Sequence, residues 1–194
     1  GTAATFAFST ACAGGTDQAL VANIAILAAN GLTISSVDNN GTALTLVGVK
    51  SHADSNYRVE QWVKAVGSSF TSGTFTVTFS RSIVTGEAVT ADCLIYDGVH
   101  QTTPTEAFNS ASGTNGAAAD ATVTVTTTSD DRWVVSVVST DEGSVTCLET
   151  LASNQTTSYG SGTDQDTNGV VATGAHSSGF TSIAGSKVWA VAGF

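Results

Sequence analysis

Three histidines, His52, His100 and His176, are the first residues to test for chemistry. Nucleophilic catalysis needs a Ser, Cys or Thr beside such a base, and an acid to orient it. Each histidine lies in a polar, turn-like stretch, and the sequence holds no G-x-S-x-G elbow; its nearest approach, Gly160-Ser161-Gly162, is a bare loop. Surface histidines are the plainer reading. Paired carboxylates are the second possibility, because glycoside hydrolysis places two of them across a cleft. The glutamates are Glu60, Glu87, Glu106, Glu142 and Glu149. Glu60 and Trp62 are two residues apart on an extended stretch, so they share a face. That pairing competes with a solvent-edge Glu beside a core Trp. No catalytic set emerges, and the expectation is a protein that is not an enzyme.

Metal and sugar chemistry are tested next. Asp164-Gln165-Asp166-Thr167-Asn168-Gly169 resembles the opening of a calcium loop, in which alternating oxygens wrap a hard cation. The bidentate Glu expected six residues after the glycine is missing, since position 175 is Ala. An ordinary turn is the better expectation, with no metal and no cofactor. Cys12, Cys93 and Cys147 are odd in number and lack C-x-x-C spacing, so they read as small buried hydrophobes. Asn40-Gly41-Thr42 and Asn154-Gln155-Thr156 fit the glycosylation triplet, which matters only in a eukaryotic secreted chain. Sugar binding wants exposed planar aromatics. Trp62, Trp133 and Trp189 lie among Val or Ala and are expected to be buried, whereas Tyr57, Tyr96 and Tyr159 lie nearer strand ends and are the candidates for exposure.

The elements that must position these residues are strands. The 194 residues are rich in Thr, Val, Ser and Ala and contain no Met, which argues against a helical bundle. Alternation with period two runs through Thr5–Ser9, Tyr57–Val63, Phe75–Ser80, Gly86–Tyr96 and Thr122–Thr126. Asp38-Asn39-Asn40-Gly41 joins Ile34–Val37 to Leu44–Val49 as a hairpin, because Asn-Gly tolerates the positive φ of a type I′ turn. Trp133–Val138 is a nearly continuous apolar run, expected to be a strand buried on both faces or central in its sheet. Lys187–Phe194 closes the chain, Val145–Leu151 and Val170–Ala172 are weaker strands, and Ala19–Ala29 is read as a strand rather than a short helix. Residues 102–120 and 153–169 read as long loops. The result is an all-β protein of ten to twelve short strands and little or no helix, a two-sheet antiparallel sandwich in one domain spanning 1–194, with 1–20 either an N-terminal arm or the first strand.

A net charge of -10 carried by 6 basic and 16 acidic residues excludes nucleic acid as the expected partner, since phosphate binding relies on clustered Lys and Arg. An anionic membrane surface is excluded on the same ground, and no run reaches the ~20 apolar residues of a spanning helix.

Several segments occur in an order that resembles a known family. They are Val37–Val47, Arg58–Trp62, Gly73–Ser80, Tyr96–Pro104 with its G-V-x-Q-T-T-P at 98–104, Arg132–Val138 and Val188–Gly193. Together, over roughly residues 20–194, they resemble a jelly-roll-type β-sandwich domain of tailed-phage structural proteins and bacterial surface proteins. The resemblance implies a jelly-roll-like sandwich and a structural or attachment role, and brings no catalytic residues. The function expected from it is an outer-surface capsid decoration (cement) protein of a phage virion. Its partners would be the major capsid protein or other virion subunits, with the chain present as lattice-bound copies or a homo-oligomer. The alternative is a carbohydrate-binding or adhesive module of a phage fibre or a secreted, extracellular bacterial protein.

Overall fold

The structure, a computed structural model, describes residues 4–11, 14–28, 31–54, 56–68, 70, 72–114, 119–140, 145–147, 162–167, 169–183 and 187–194. The first half holds β1 (Thr5–Ala11), β2 (Gln18–Leu27), β3 (Ile34–Asn39), β4 (Thr42–Ala43), β5 (Thr45–Ser51), β6 (Tyr57–Gly67), β7 (Ser72–Phe79) and β8 (Ala88–Tyr96). The second half holds β9 (Asn109–Thr114), β10 (Ala119–Thr127), β11 (Val135–Thr140), β12 (Thr146–Cys147), β13 (Gly162–Asp166), β14 (Gly174–Ile183) and β15 (Val188–Gly193). All pairing is antiparallel, and the described residues include no helix. The all-β sandwich is therefore what forms, but among the described residues its sheets number four rather than two and its strands fifteen rather than ten to twelve.

Alternation stacks those sheets. In β2, Ala22, Ile24 and Ile26 meet Val37, Phe75, Val77 and Phe79 of the first outer sheet, ordered β1-β7-β3-β4. The intervening Ala19, Val21 and Ala25 point the other way from the first inner sheet, β5-β6-β2-β8. They meet Val135, Val137, Ala190 and Ala192 of the second inner sheet, β13-β11-β15-β9. That sheet turns Val134, Val138 and Val191 toward Val123, Val125 and Phe180 of the second outer sheet, β10-β14-β12. The layers run outer, inner, inner, outer. β2 and β11 are buried on both faces, which is why each reads as an apolar run without clear alternation.

The two halves repeat one topology. The orders β1-β7-β3 and β10-β14-β12 correspond, as do β6-β2-β8 and β13-β11-β15; β5 and β9 are additions at opposite edges. Asp17 and Asp131, both with positive φ, occupy the same turn before β2 and β11. Counting on from that turn aligns Leu20, Ala22 and Ile24 with Val134, Ser136 and Val138, each set facing its own outer sheet. Equivalent faces of β2 and β11 therefore pack on each other, the arrangement of a two-fold dimer inside one chain.

Small side chains let the inner sheets approach. A Cβ on Gly162 would lie 2.2 Å from Ala25 Cβ and 3.0 Å from the Val138 carbonyl. Ser139 Oγ donates across the layer to the Ile26 carbonyl at 2.9 Å. The crossing between halves is clipped in place by the 98–104 segment. Gly98 and Val99 donate to the Thr16 and Asp17 carbonyls, and Gln101 Nε2 donates to the Gln18 and Val99 carbonyls while its Oε1 accepts from Gly67 N at 2.8 Å. The most specific piece of the sequence resemblance thus ties the end of the first inner sheet.

Three expectations are corrected. The Asn40-Gly41 turn forms, with φ of 48° and 76°, but only β4 pairs with β3; at buried Leu44 the chain leaves for the other sheet, where β5 pairs with β6. The segments 102–120 and 153–169, read as loops, contain β9 and the start of β10, and β13. Val170–Ala172, read as a strand, contributes a single bridge, Val171 to Arg132. Residues 5–11 are the first strand, paired with β7 through seven consecutive residues.

Replacing Gly162 by Val forces the inner layers apart. A loss of about 1–3 kcal/mol is expected, as for other overpacked cores, read as a lowered thermal midpoint in calorimetry. An unchanged midpoint would show that the two layers do not touch at this point.

Candidate functional site

Where the inner sheets separate at one end, the segment after β8 crosses from one half to the other and a groove of about 670 Å³ opens. Ala19, Val21, Val63 and Val135 form its floor, and Trp133, Val170, Pro104 and Phe194 line its apolar side. Trp133 is 38% exposed and Val170 59% exposed. The Arg132–Val171 bridge is antiparallel, so Val170 sits opposite Trp133. Tyr96 packs against Trp133 with centroids 5.4 Å apart at 59°, and its hydroxyl donates to Asp166 Oδ2 at 2.9 Å. Burial, with Asp166 close by, pushes the Tyr96 phenol far above its ordinary range, so it stays a donor. The polar rim is Arg132, whose Nε meets Glu106 Oε2 at 2.6 Å. Glu106 also accepts from Thr128, and the Arg132 guanidinium holds its carboxyl below the usual range.

Beneath this groove lies a polar layer that sequence reasoning missed. Asp92, Asn23 and Gln61 stand in register across β8, β2 and β6, facing β13. Asn23 Nδ2 donates to Asp164 Oδ2 at 2.9 Å, and Gln61 Nε2 donates to Asn23 Oδ1 at 2.9 Å and to the Val135 carbonyl at 3.2 Å. Burial, then the nearby Asp92 charge, raise Asp164 to about 7, against the opposing Asn23 hydrogen bond. The first half of the turn read at 164–169 is instead the end of β13, because Asp164 and Asp166 pair with Val137 and Val135. A strand sends Asp164 and Asp166 to one face and Gln165 to the other, where Gln165 meets Ser178 at 3.1 Å, so these oxygens do not wrap around a common point. Asn168 lies outside the described residues. Among the described residues, no group of three or more His, Cys, Asp or Glu side chains is arranged to hold a metal ion.

The histidines are not brought together. His100 lines the groove, but its Nδ1 accepts from Thr103 N at 3.1 Å and faces the Thr103 hydroxyl at 2.9 Å, a local turn. His52 meets Asp54 at 3.0 Å at the β5–β6 turn, and His176 Nε2 meets the Ala172 carbonyl at 2.7 Å in β14. Gly160 and Ser161 lie outside the described residues, and Gly162 is buried in β13. Glu60 is not at a solvent edge: it is 1% exposed, accepting from Arg58 Nε at 2.6 Å and Trp62 Nε1 at 3.0 Å. Burial raises its pKa against the pull of Arg58. Glu87 is held by Arg81, and Glu142 and Glu149 lie outside the described residues. Of the expected buried tryptophans, Trp62 and Trp189 are half-buried and Trp133 is exposed, because it precedes β11 at the open end of the layer. Tyr57 is buried beside Val59 rather than exposed, and Tyr159 lies outside the described residues. Cys93 is half-buried against the first core, its thiol pushed by burial to about 12. Cys12 and the side chain of Cys147 lie outside the described residues. Asn40 Oδ1 accepts from Thr74 N at 2.8 Å, and Asn154 lies outside the described residues.

No protein-family model matches the chain, and no curated protein matches it significantly. Fold and site define an all-β protein of two stacked antiparallel sandwiches with one aromatic groove at their junction.

Asp164 sets a pH dependence whose sign follows from its raised pKa. Between about pH 4, where the unfolded carboxyl ionises, and about pH 7, the folded chain holds a proton that the unfolded chain has released. Stability therefore falls as pH rises through that window, by a few kcal/mol at most. Asp164→Asn keeps an acceptor for Asn23 and removes the charge. The wild-type thermal midpoint is expected to drop between pH 4.5 and pH 7.5 more than that of the variant; parallel profiles would contradict this assignment.

Proposed function

We propose that the chain is a non-enzymatic virion structural protein, an outer-surface decoration subunit of a tailed-phage capsid that docks on the major capsid protein. The observation that carries this reading is the open edge of the first outer sheet. β1 is a regular seven-residue strand, TFAFSTA, with no charge, no Pro and no bulge. Proteins ordinarily blunt such an edge with one of those devices. Its counterpart β10 has a register shift at Ala119/Ala121, and Asn109 Nδ2 caps its Thr124 carbonyl at 2.8 Å. Among the described residues no strand covers the outer side of β1, where Phe6 is 41% exposed.

An added strand from a neighbouring subunit satisfies that row of N–H and C=O groups, the strand-addition mode of recognition. The sequence likeness of the 98–104 segment to phage structural proteins supports the same role. A subunit that binds only the assembled shell stabilises it by linkage, since every bound copy must be released before the shell comes apart. The acidic surface keeps the free protein soluble before it docks.

Geometry supplies a selective test. Phe79 N donates to the Ala4 carbonyl, so Ala4, Phe6 and Phe8 direct their backbone groups to β7, and Thr5, Ala7 and Ser9 direct theirs outward. Ala7→Pro deletes one outward donor and leaves the β7 ladder intact. Purified wild-type protein is expected to bind expanded capsid shells at fixed stoichiometry in sedimentation. The variant should bind at least tenfold more weakly with its thermal midpoint nearly unchanged. Wild-type protein that neither sediments with shells nor copurifies with virions would falsify the proposal.

A further inference from the structure

We infer that the groove between the two sandwiches is a binding site for a neutral oligosaccharide. Sugar recognition needs an apolar plate for the C–H face of the ring beside planar polar groups for its hydroxyls. The groove offers both within one concavity of about 670 Å³, inside the range of small-ligand sites. Trp133 is the plate. Its ring is fixed from behind by Tyr96, which is itself pinned through its hydroxyl to buried Asp166, so the surface is set before any ligand arrives. Val170 extends the apolar strip across the bridge from Trp133. At the rim, the Glu106–Arg132 pair presents planar donors and acceptors whose charges already neutralise one another.

The repeat argues independently that Trp133 is not there for the fold. The equivalent turn of the first half runs Asp17-Gln18-Ala19, and both Gln18 and Ala19 are buried at 1% exposure. In the second half the same positions are Arg132 and Trp133, turned out to the groove. One architecture thus closes this turn with a methyl group, while its copy places the largest aromatic side chain at the surface. The neutral class follows from charge. The net charge of -10 and the exposed rim carboxylate of Asp131 repel sialylated or sulfated chains.

Isothermal titration of the whole protein with cellohexaose, maltohexaose and mannohexaose, alongside 3′-sialyllactose and a heparin hexasaccharide, tests this. At least one neutral hexasaccharide is expected to bind saturably. Trp133→Ala should weaken it tenfold or more, and Val170→Asp should do so at a residue too exposed to threaten folding. Leu46→Asp, on exposed β5 away from the groove, should leave binding unchanged. Absence of binding to all three neutral probes, tighter binding of the anionic ones, or wild-type affinity in a folded Trp133→Ala protein would overturn the inference. Failure here leaves the shell-binding result untouched, because β1 and the groove share no residue.

Discussion

The contact between the two inner sheets is the constraint on which the rest of the structure depends. It is made by equivalent faces of β2 and β11, and it closes only because Ala19, Ala25, Ala190, Ala192 and Gly162 keep side chains short. Each half alone would expose an inner sheet whose outward face is largely apolar. Packed together, the halves bury that face and leave the outer sheets and the β5 edge of the first inner sheet to water. The groove is a by-product of the same contact, opening where the layers diverge and the 98–104 clip turns the chain across.

A purely apolar interface would serve cohesion better than the one observed. Asn23, Gln61, Asp92, Asp164 and Asp166 place amides and carboxyls between the layers, and Gln61 Oε1 has no hydrogen-bond partner among the described residues. A buried acceptor without a donor costs about 1–3 kcal/mol. What the polar row contributes is register: Asn23 can reach Asp164 in one alignment of the sheets and not in a slipped one. Such specificity is the attested use of buried polar groups in self-associating interfaces.

Much of the fold was legible because its strands obey local rules. Phe75, Val77 and Phe79 alternate with Thr and point into one core, and the Val134–Val138 run correctly signalled a strand covered on both faces. The strands that escaped notice, β9, β13 and β14, carry NSASGT, GTDQD and GAHSSGFTSI. Such small and polar residues have low strand propensity, and tertiary packing selects them: Gly113 lies under Trp189, and Gly179 lies against the backbone of β10. The doubling of the fold was hidden for a related reason, since burial fixes only side-chain size at matched positions such as Ala22 and Ser136. At the candidate site, Trp133 read as core because its sequence neighbours are apolar. Its exposure arises from where the two halves part, a long-range property that no local window contains.

The rims of the outer sheets differ in a way that governs growth. Among the described residues, the far side ends in β4 on one of them and in β12 on the other, two residues in each. β10 is kinked and plugged, so among the described residues the outer layers present one long vacant rim, not two. Within the outer layers, one such margin captures a ribbon once and does not relay the ladder onward to the opposite side. Strand addition through the outer layers therefore pairs copies at that rim instead of threading them through both sides of the sheet.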